Sequence, residues 1–259
     1  MERKIKFSRQ KQISYLTIMV ASCLFIAFAS PANAEWQNGG GNLKFDFAGY
    51  LDIWDISGRY FDSFQGIDIT YVITQDTSGK LTGVGQASVT SSLNLPFDVK
   101  GAVGTKNNVV WVKMTLKGKG ATLYQGEPIK LGFSAKVNAQ VVPGNRTMIG
   151  TVKTRVSALG HSWGGTEIFD KSLPADMNGA ATLDLSTTSN RNKIFGRGIL
   201  TLSNGDNHNF DVIGKFNQRT NESILTLKGG KNNLKIKIDD IDRSITSLKG
   251  KVLGQKLVH

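Results

Sequence analysis

Residues 129–141 read Ile-Lys-Leu-Gly-Phe-Ser-Ala-Lys-Val-Asn-Ala-Gln-Val, and they decide the fold. Every odd position is apolar (Ile129, Leu131, Phe133, Ala135, Val137, Ala139, Val141), and the even ones are polar or glycine. A period of two is the mark of a strand with one buried face, because successive side chains point to opposite sides of a pleated sheet. No helix produces it. Working outward, Val110, Val112, Met114 and Leu116 alternate with Trp111, Lys113, Thr115 and Lys117, while Leu234, Ile236 and Ile238 alternate with Lys235, Lys237 and Asp239. Turn clusters separate such runs, among them Thr77-Ser78-Gly79, Lys106-Asn107-Asn108, Pro143-Gly144-Asn145 and Asn204-Gly205-Asp206-Asn207. Their residues tolerate positive φ or form local Asx turns. The reading is all-β, an antiparallel Gly-rich meander of roughly 14 strands, barrel-like or sandwich, with one long irregular stretch from about Ala158 to Met177.

An internal repeat runs through this pattern. Adding 113 carries Lys80 to Lys193, Gly83 to Gly196, Gly85 to Gly198, Asn94 to Asn207, Phe97 to Phe210, Asp98 to Asp211, Val99 to Val212 and Gly101 to Gly214. After a two-residue deletion, Thr115-Leu116-Lys117-Gly118 matches Thr226-Leu227-Lys228-Gly229. The expectation is two tandem, sequence-related copies, residues 35–157 and 158–259, forming one continuous structure because no Pro/Ser-rich linker parts them. Equivalence predicts Phe97, Val99, Phe210 and Val212 on a buried face, Asp98 and Asp211 outward, and Gly101 and Gly214 at matching backbone positions, at a bend, bulge or close strand approach.

The start of the chain has a basic segment (Arg3, Lys4, Lys6, Arg9, Lys11), an apolar run from Ile13 to Phe28, and Ala32-Asn33-Ala34. This is the layout of a secretory signal peptide over residues 1–34, leaving Glu35 as the new terminus and an exported, periplasmic or extracellular product. Val20-Ala21-Ser22-Cys23 resembles the box of a lipidated cysteine, but an apolar run follows Cys23 where a lipoprotein carries a polar tether. Membrane anchoring is expected only if Cys23 is lipidated or a barrel inserts. Loss of the signal reduces the 32 basic and 20 acidic residues to 27 and 19, a charge of +8, and removes the only cysteine. A body of that size buries a core without disulfides. Its positive charge reads either as a soluble, mildly basic surface, which the scatter of the charges along the strands favours, or as affinity for anionic envelope polymers or lipid headgroups. No nucleic-acid partner is expected of an exported chain.

Gly160-His161-Ser162-Trp163-Gly164-Gly165 resembles the nucleophile elbow of α/β-hydrolases, which implies a serine on a strand-to-helix turn. No helical stripe follows, only His208 and His259 lie downstream, and no parallel βαβ series exists. Asp239-Asp240-Ile241-Asp242, and Asp52 with Asp55, offer carboxylates for Ca²⁺ but lack the loop glycine and closing glutamate of a strong calcium signature. Trp36, Trp54, Trp111 and Trp163, with Tyr50, Tyr60 and Tyr71, form a platform for sugar rings or a core. Asn145-Arg146-Thr147 and Asn221-Glu222-Ser223 match the glycosylation sequon, which a bacterial-type signal makes irrelevant. No catalytic, cofactor or metal residue is assigned. The resulting expectation is a non-enzymatic exported β-protein that binds an unknown ligand or anionic envelope component. The alternatives are an outer-membrane β-barrel, whose strands share the two-residue period, and a hydrolase using the Gly160–Gly164 segment. Resemblance to lipocalin and avidin barrels extends only to the Gly-rich meander.

Overall fold

Alternation of the kind seen at Ile129–Val141 recurs along the chain, and hairpin turns fold it back on itself. The computed structural model describes residues 36–47, 52–64, 66–90, 93–124 and 126–259. The segment expected to be a signal peptide, with Ala32-Asn33-Ala34 and Cys23, and Tyr50 lie outside the described residues. Sixteen strands follow in order: β1 (Gly41–Asp46), β2 (Gly58–Phe64), β3 (Ile67–Gln75), β4 (Lys80–Thr90), β5 (Leu93–Lys106), β6 (Val109–Tyr124), β7 (Glu127–Val142) and β8 (Thr147–Ala158). Then come β9 (His161–Ser172), β10 (Ala181–Asn190), β11 (Lys193–Leu202), β12 (Asn207–Asn217), β13 (Glu222–Gly229), β14 (Asn232–Asp239), β15 (Ser244–Val252) and β16 (Gln255–Val258). The one helical piece among the described residues is a 3-10 turn at Pro143–Asn145.

The strands form two eight-stranded antiparallel sheets, each curled like a half-barrel around its own core. The first is a simple meander, β2 to β9. The second runs β1-β10-β11-β12-β13-β14-β15-β16, so its first strand precedes the entire first sheet in sequence. The expected division at 157/158 therefore falls at the β8–β9 hairpin, both arms of which belong to the first sheet, and β1 belongs to the second. The stretch expected to be irregular holds β9. Its inward row includes Trp163, Gly165, Glu167, Phe169 and Lys171 opposite Val156, Thr154, Val152, Gly150 and Met148. Only Phe169 of that row is buried. An edge strand with glycine and charges on its inner face has no alternating apolar signal to read.

Registers in the two sheets correspond. Gly83 and Gly85 face Val99 and Phe97, while Gly196 and Gly198 face Val212 and Phe210. Asp98 faces Lys117, and Asp211 faces Lys228. Phe97 and Phe210 are 4% and 2% exposed, and both aspartates point out. A Cβ on Gly101 would lie 2.2 Å from the Lys113 carbonyl oxygen, and one on Gly214 2.5 Å from that of Ile224. Glycine is needed where backbones approach so closely. The deletion between the matching segments falls in a hairpin: each arm of the β12–β13 hairpin is two residues shorter than its counterpart in β5–β6, while the turn grows from Asn107-Asn108 to residues 218–221, a net loss of two.

Apolar rows face inward in both sheets. The first core contains a chain of rings, Tyr60–Tyr71–Phe97–Phe133, with centroids 5.5, 6.4 and 5.4 Å apart. The second is built largely from leucine and isoleucine around Phe45, Phe210 and Phe216. Burying such a side chain contributes about 1.5–3 kcal/mol. The segment linking β1 to β2 serves both cores, since Ile53 enters the second and its neighbour Trp54 the first.

Candidate functional site

Where the sheets meet, backbone polar groups leave the ladders and need partners elsewhere. Three buried amide side chains supply them. Gln255 accepts the Trp54 N–H (3.0 Å) through Oε1 and donates from Nε2 to the Trp54 carbonyl (2.6 Å). Gln75 accepts the Ile56 N–H (3.0 Å) and donates to the carbonyls of Leu253 (3.0 Å) and Trp54 (3.3 Å). Asn232 accepts the Leu253 N–H at 3.0 Å. Gly79 and Gly254 touch there, a Cβ on either lying 2.7 Å from the other's Cα. Beside this junction, the Lys256 N–H donates to Thr105 Oγ1 (3.0 Å). A cleft of about 310 Å³ opens between β16 and the β5–β6 hairpin, with Asp52, Asn108 and Lys256 among its polar lining and Val110 and Val258 among its apolar lining. Burial pushes the Asp52 carboxyl above its ordinary range. Trp54 also lines the cleft, and its buried indole N–H has no partner.

A lysine field covers the outer face of β13 to β16. Lys228, Lys231, Lys235, Lys249, Lys251 and Lys256 are all exposed. Lys235 stands directly opposite Lys249, and Lys251 opposite Lys256. Lys228, Lys231, Lys235 and Lys249 border one shallow depression. No acidic residue occurs between Ser244 and His259. Lys256 belongs both to this field and to the cleft wall, so the two are continuous. The β3–β4 turn lies close by: its Asp76 carboxyl is held below its ordinary value by the Ser78 hydroxyl and, to a smaller extent, by the charge of Lys231.

Two further features sit at the seams where each sheet curls round. In the first sheet, Asp62 of β2 and Lys171 of β9 form an ion pair at 2.7 Å. Desolvation there outweighs the lysine and raises the Asp62 carboxyl, and Asp62 Oδ2 and the Tyr71 hydroxyl are buried without partners. In the second sheet the seam is less filled, because β16 spans four residues against twelve in β9. A cleft of about 240 Å³ lies there among Phe45, Phe47, Ile245 and Leu248.

The residues singled out from sequence take other places. Gly160 is in the β8–β9 turn, and Ser162 lies exposed on β9, accepting a hydrogen bond from Arg155 (3.0 Å). A strand–turn–strand hairpin, not a strand-to-helix elbow, carries the Gly160–Gly165 segment. His208 and His259 lie in the second sheet or at its end, and His259 pairs through its backbone with Leu248. Asp239 closes an Asx turn onto the N–H groups of Ile241 and Asp242. Asp240 accepts the Gly39 N–H at 2.7 Å, and Asp55 accepts that of Ser57. No group of three or more metal-ligating side chains occurs among the described residues. Trp36, Trp54, Tyr60 and Tyr71 are core, Trp111 is half-buried beneath Lys113, and Trp163 is 47% exposed on β9, so they form no common platform. Comparison with protein-family models, curated proteins and solved structures yields no match.

The lysine field was not picked out from sequence because its members are spread from 228 to 256. The available signal was Lys235, Lys249, Lys251 and Lys256 alternating with apolar residues, with no acid among the last sixteen residues.

Proposed function

We propose that this chain is an exported, non-enzymatic protein that binds an anionic component of the cell envelope across the outer face of β13–β16. The observation that carries this reading is the placing of Lys235 opposite Lys249 and Lys251 opposite Lys256. Like charges directly opposed across a ladder destabilise a sheet. Folding gains nothing from them, whereas a polyanion laid across the strands neutralises all four. The inward direction of the apolar rows and the outward direction of the lysines favour a protein in water over an outer-membrane barrel, whose apolar rows face lipid. The same reading takes the two sheets as copies of one unit that kept its core register while its outer faces diverged.

The test has two arms. Cell fractionation with detergent extraction should place the protein, beginning at Glu35, in the soluble exported fraction. Titration with inorganic polyphosphate should show binding that weakens steeply as salt is raised, because exposed charges are screened within about 10 Å at 0.1 M. Lys235→Glu with Lys249→Glu should abolish it. Polyphosphate binding that ignores both salt and these substitutions would remove the proposal.

A further inference from the structure

We infer that the junction cleft takes a neutral, hydroxyl-rich sugar ring of a glycan whose acidic groups lie on the adjoining lysine field. This rests on the polyanion reading above and narrows it to a class of polymer.

The argument begins with what the cleft refuses. Asp52 stands in its wall beside a single lysine, Lys256, so a phosphate or carboxylate entering there would meet a carboxylate, while the other lysines that welcome such groups are outside. An unfavourable charge of this kind sorts ligands as effectively as an attractive contact. What the wall accepts is a molecule able both to donate and to accept hydrogen bonds. Asp52 offers acceptors, Lys256 offers donors, and the Asn108 amide offers both. Val110 and Val258 add apolar surface of the kind the C–H face of a sugar ring covers. A volume of about 310 Å³ is within the range of small-ligand sites, which favour the meeting of two units of a fold. The 240 Å³ seam cleft differs in chemistry, being lined mainly by Phe45, Phe47, Ile245 and Leu248, and it lies beside the acidic β14–β15 turn, away from the lysines.

Because Lys256 lies in both the cleft wall and the lysine field, one linear polymer can engage both without a gap. Two linked modest contacts then act together, the second occurring at the effective concentration set by the first.

The experiment uses the full mature chain on an immobilised panel of lipopolysaccharide core oligosaccharides, glycosylated teichoic acid and peptidoglycan fragments, with polyphosphate as an anion without sugar. At least one glycan should be bound. Asp52→Ala and Val110→Trp, the first removing an acceptor and the second filling the cleft, should each weaken that glycan at least tenfold while leaving polyphosphate within twofold. Circular dichroism would confirm that both variants fold, and Asp52 is exposed enough for its truncation to be tolerated. Binding of polyphosphate but of no glycan would overturn the cleft assignment and leave the lysine reading standing, as would glycan binding indifferent to both cleft variants. Glycan binding that needs Asp52 but not the lysines would overturn the lysine reading instead. No binding to anything on the panel, polyphosphate included, would overturn both.

Discussion

The first and second sheets use the same strand order and the same β4–β5 and β11–β12 register, yet their rims and outer faces differ. The first closes its seam with a twelve-residue edge strand and the Asp62–Lys171 pair; the second ends on a four-residue strand and leaves a cleft. The first mixes acids and lysines over its surface, whereas the second gathers six lysines onto β13–β16 and the adjoining turn. Core register is constrained because a slip of one residue turns every buried side chain outward. Outer faces carry no such constraint, so that is where the two sheets are free to differ.

The hardest test of the correspondence is in the cores. Phe97→Ala and Phe210→Ala should each cost about 3–5 kcal/mol, read by urea denaturation, since each removes a buried ring from an equivalent register position. A cost below about 1 kcal/mol for one and a full cost for the other would break the equivalence.

The junction should respond next. Gln255→Ala orphans the buried Trp54 N–H, at about 1–3 kcal/mol, and leaves the Trp54 carbonyl with only the longer bond from Gln75. Because Gln255 and Gln75 pin the linking segment from opposite sheets, the variant should also separate the unfolding of the two sheets, giving two calorimetric transitions in place of one. A single unbroken transition would show that the remaining contacts suffice.

The seam gives a pH-dependent difference confined to the first sheet. A carboxyl whose folded pKa lies above its unfolded value binds its proton more readily in the folded state. Its contribution therefore declines as pH rises from 3.8 toward the raised folded value. The stability of the wild type relative to Asp62→Asn should fall as pH rises from 3.8 toward the raised folded value. A rise over that interval would show that Lys171 dominates after all.

Much of this was legible because Phe97-Asp98-Val99 and Phe210-Asp211-Val212 sit on strands with one wet face, where burial writes itself as alternation. The β9 strand was not. Its turn is Leu159-Gly160, with φ of 52° and 79°, and leucine is a poor advertisement for positive φ. Leu253-Gly254 makes the same turn before β16, with φ of 49° and 81°, a correspondence that residue propensity alone conceals. The lysine field was hidden for another reason, that antiparallel pairing brings together positions which sequence order separates. The junction needed Gln75 and Gln255 to be buried, and nothing local marks a glutamine as interior.

The smallest effects belong to the surface. Asp98→Asn and Asp211→Asn should each change stability by no more than about 0.5 kcal/mol, and alike, because each faces a lysine across its ladder in solvent. Lys235→Gln should be neutral or slightly stabilising, by up to about 1 kcal/mol, while weakening polyphosphate. A clear loss of stability would mean that the opposed lysines serve folding.

The place of β1 has a kinetic side. All of the first sheet's ladders join strands adjacent in sequence, so it can zip hairpin by hairpin, but β1 must wait for β10, beyond the entire first sheet. Pairings of large sequence separation form slowly, because the loop must close before any contact rewards it. A chain emerging from its N-terminus thus shows β1 first and buries it among the last. Refolding should then proceed in two phases, an early one reported by Trp54 and a later one by Trp36, with Phe45 and Phe47 open to misassociation in the interval.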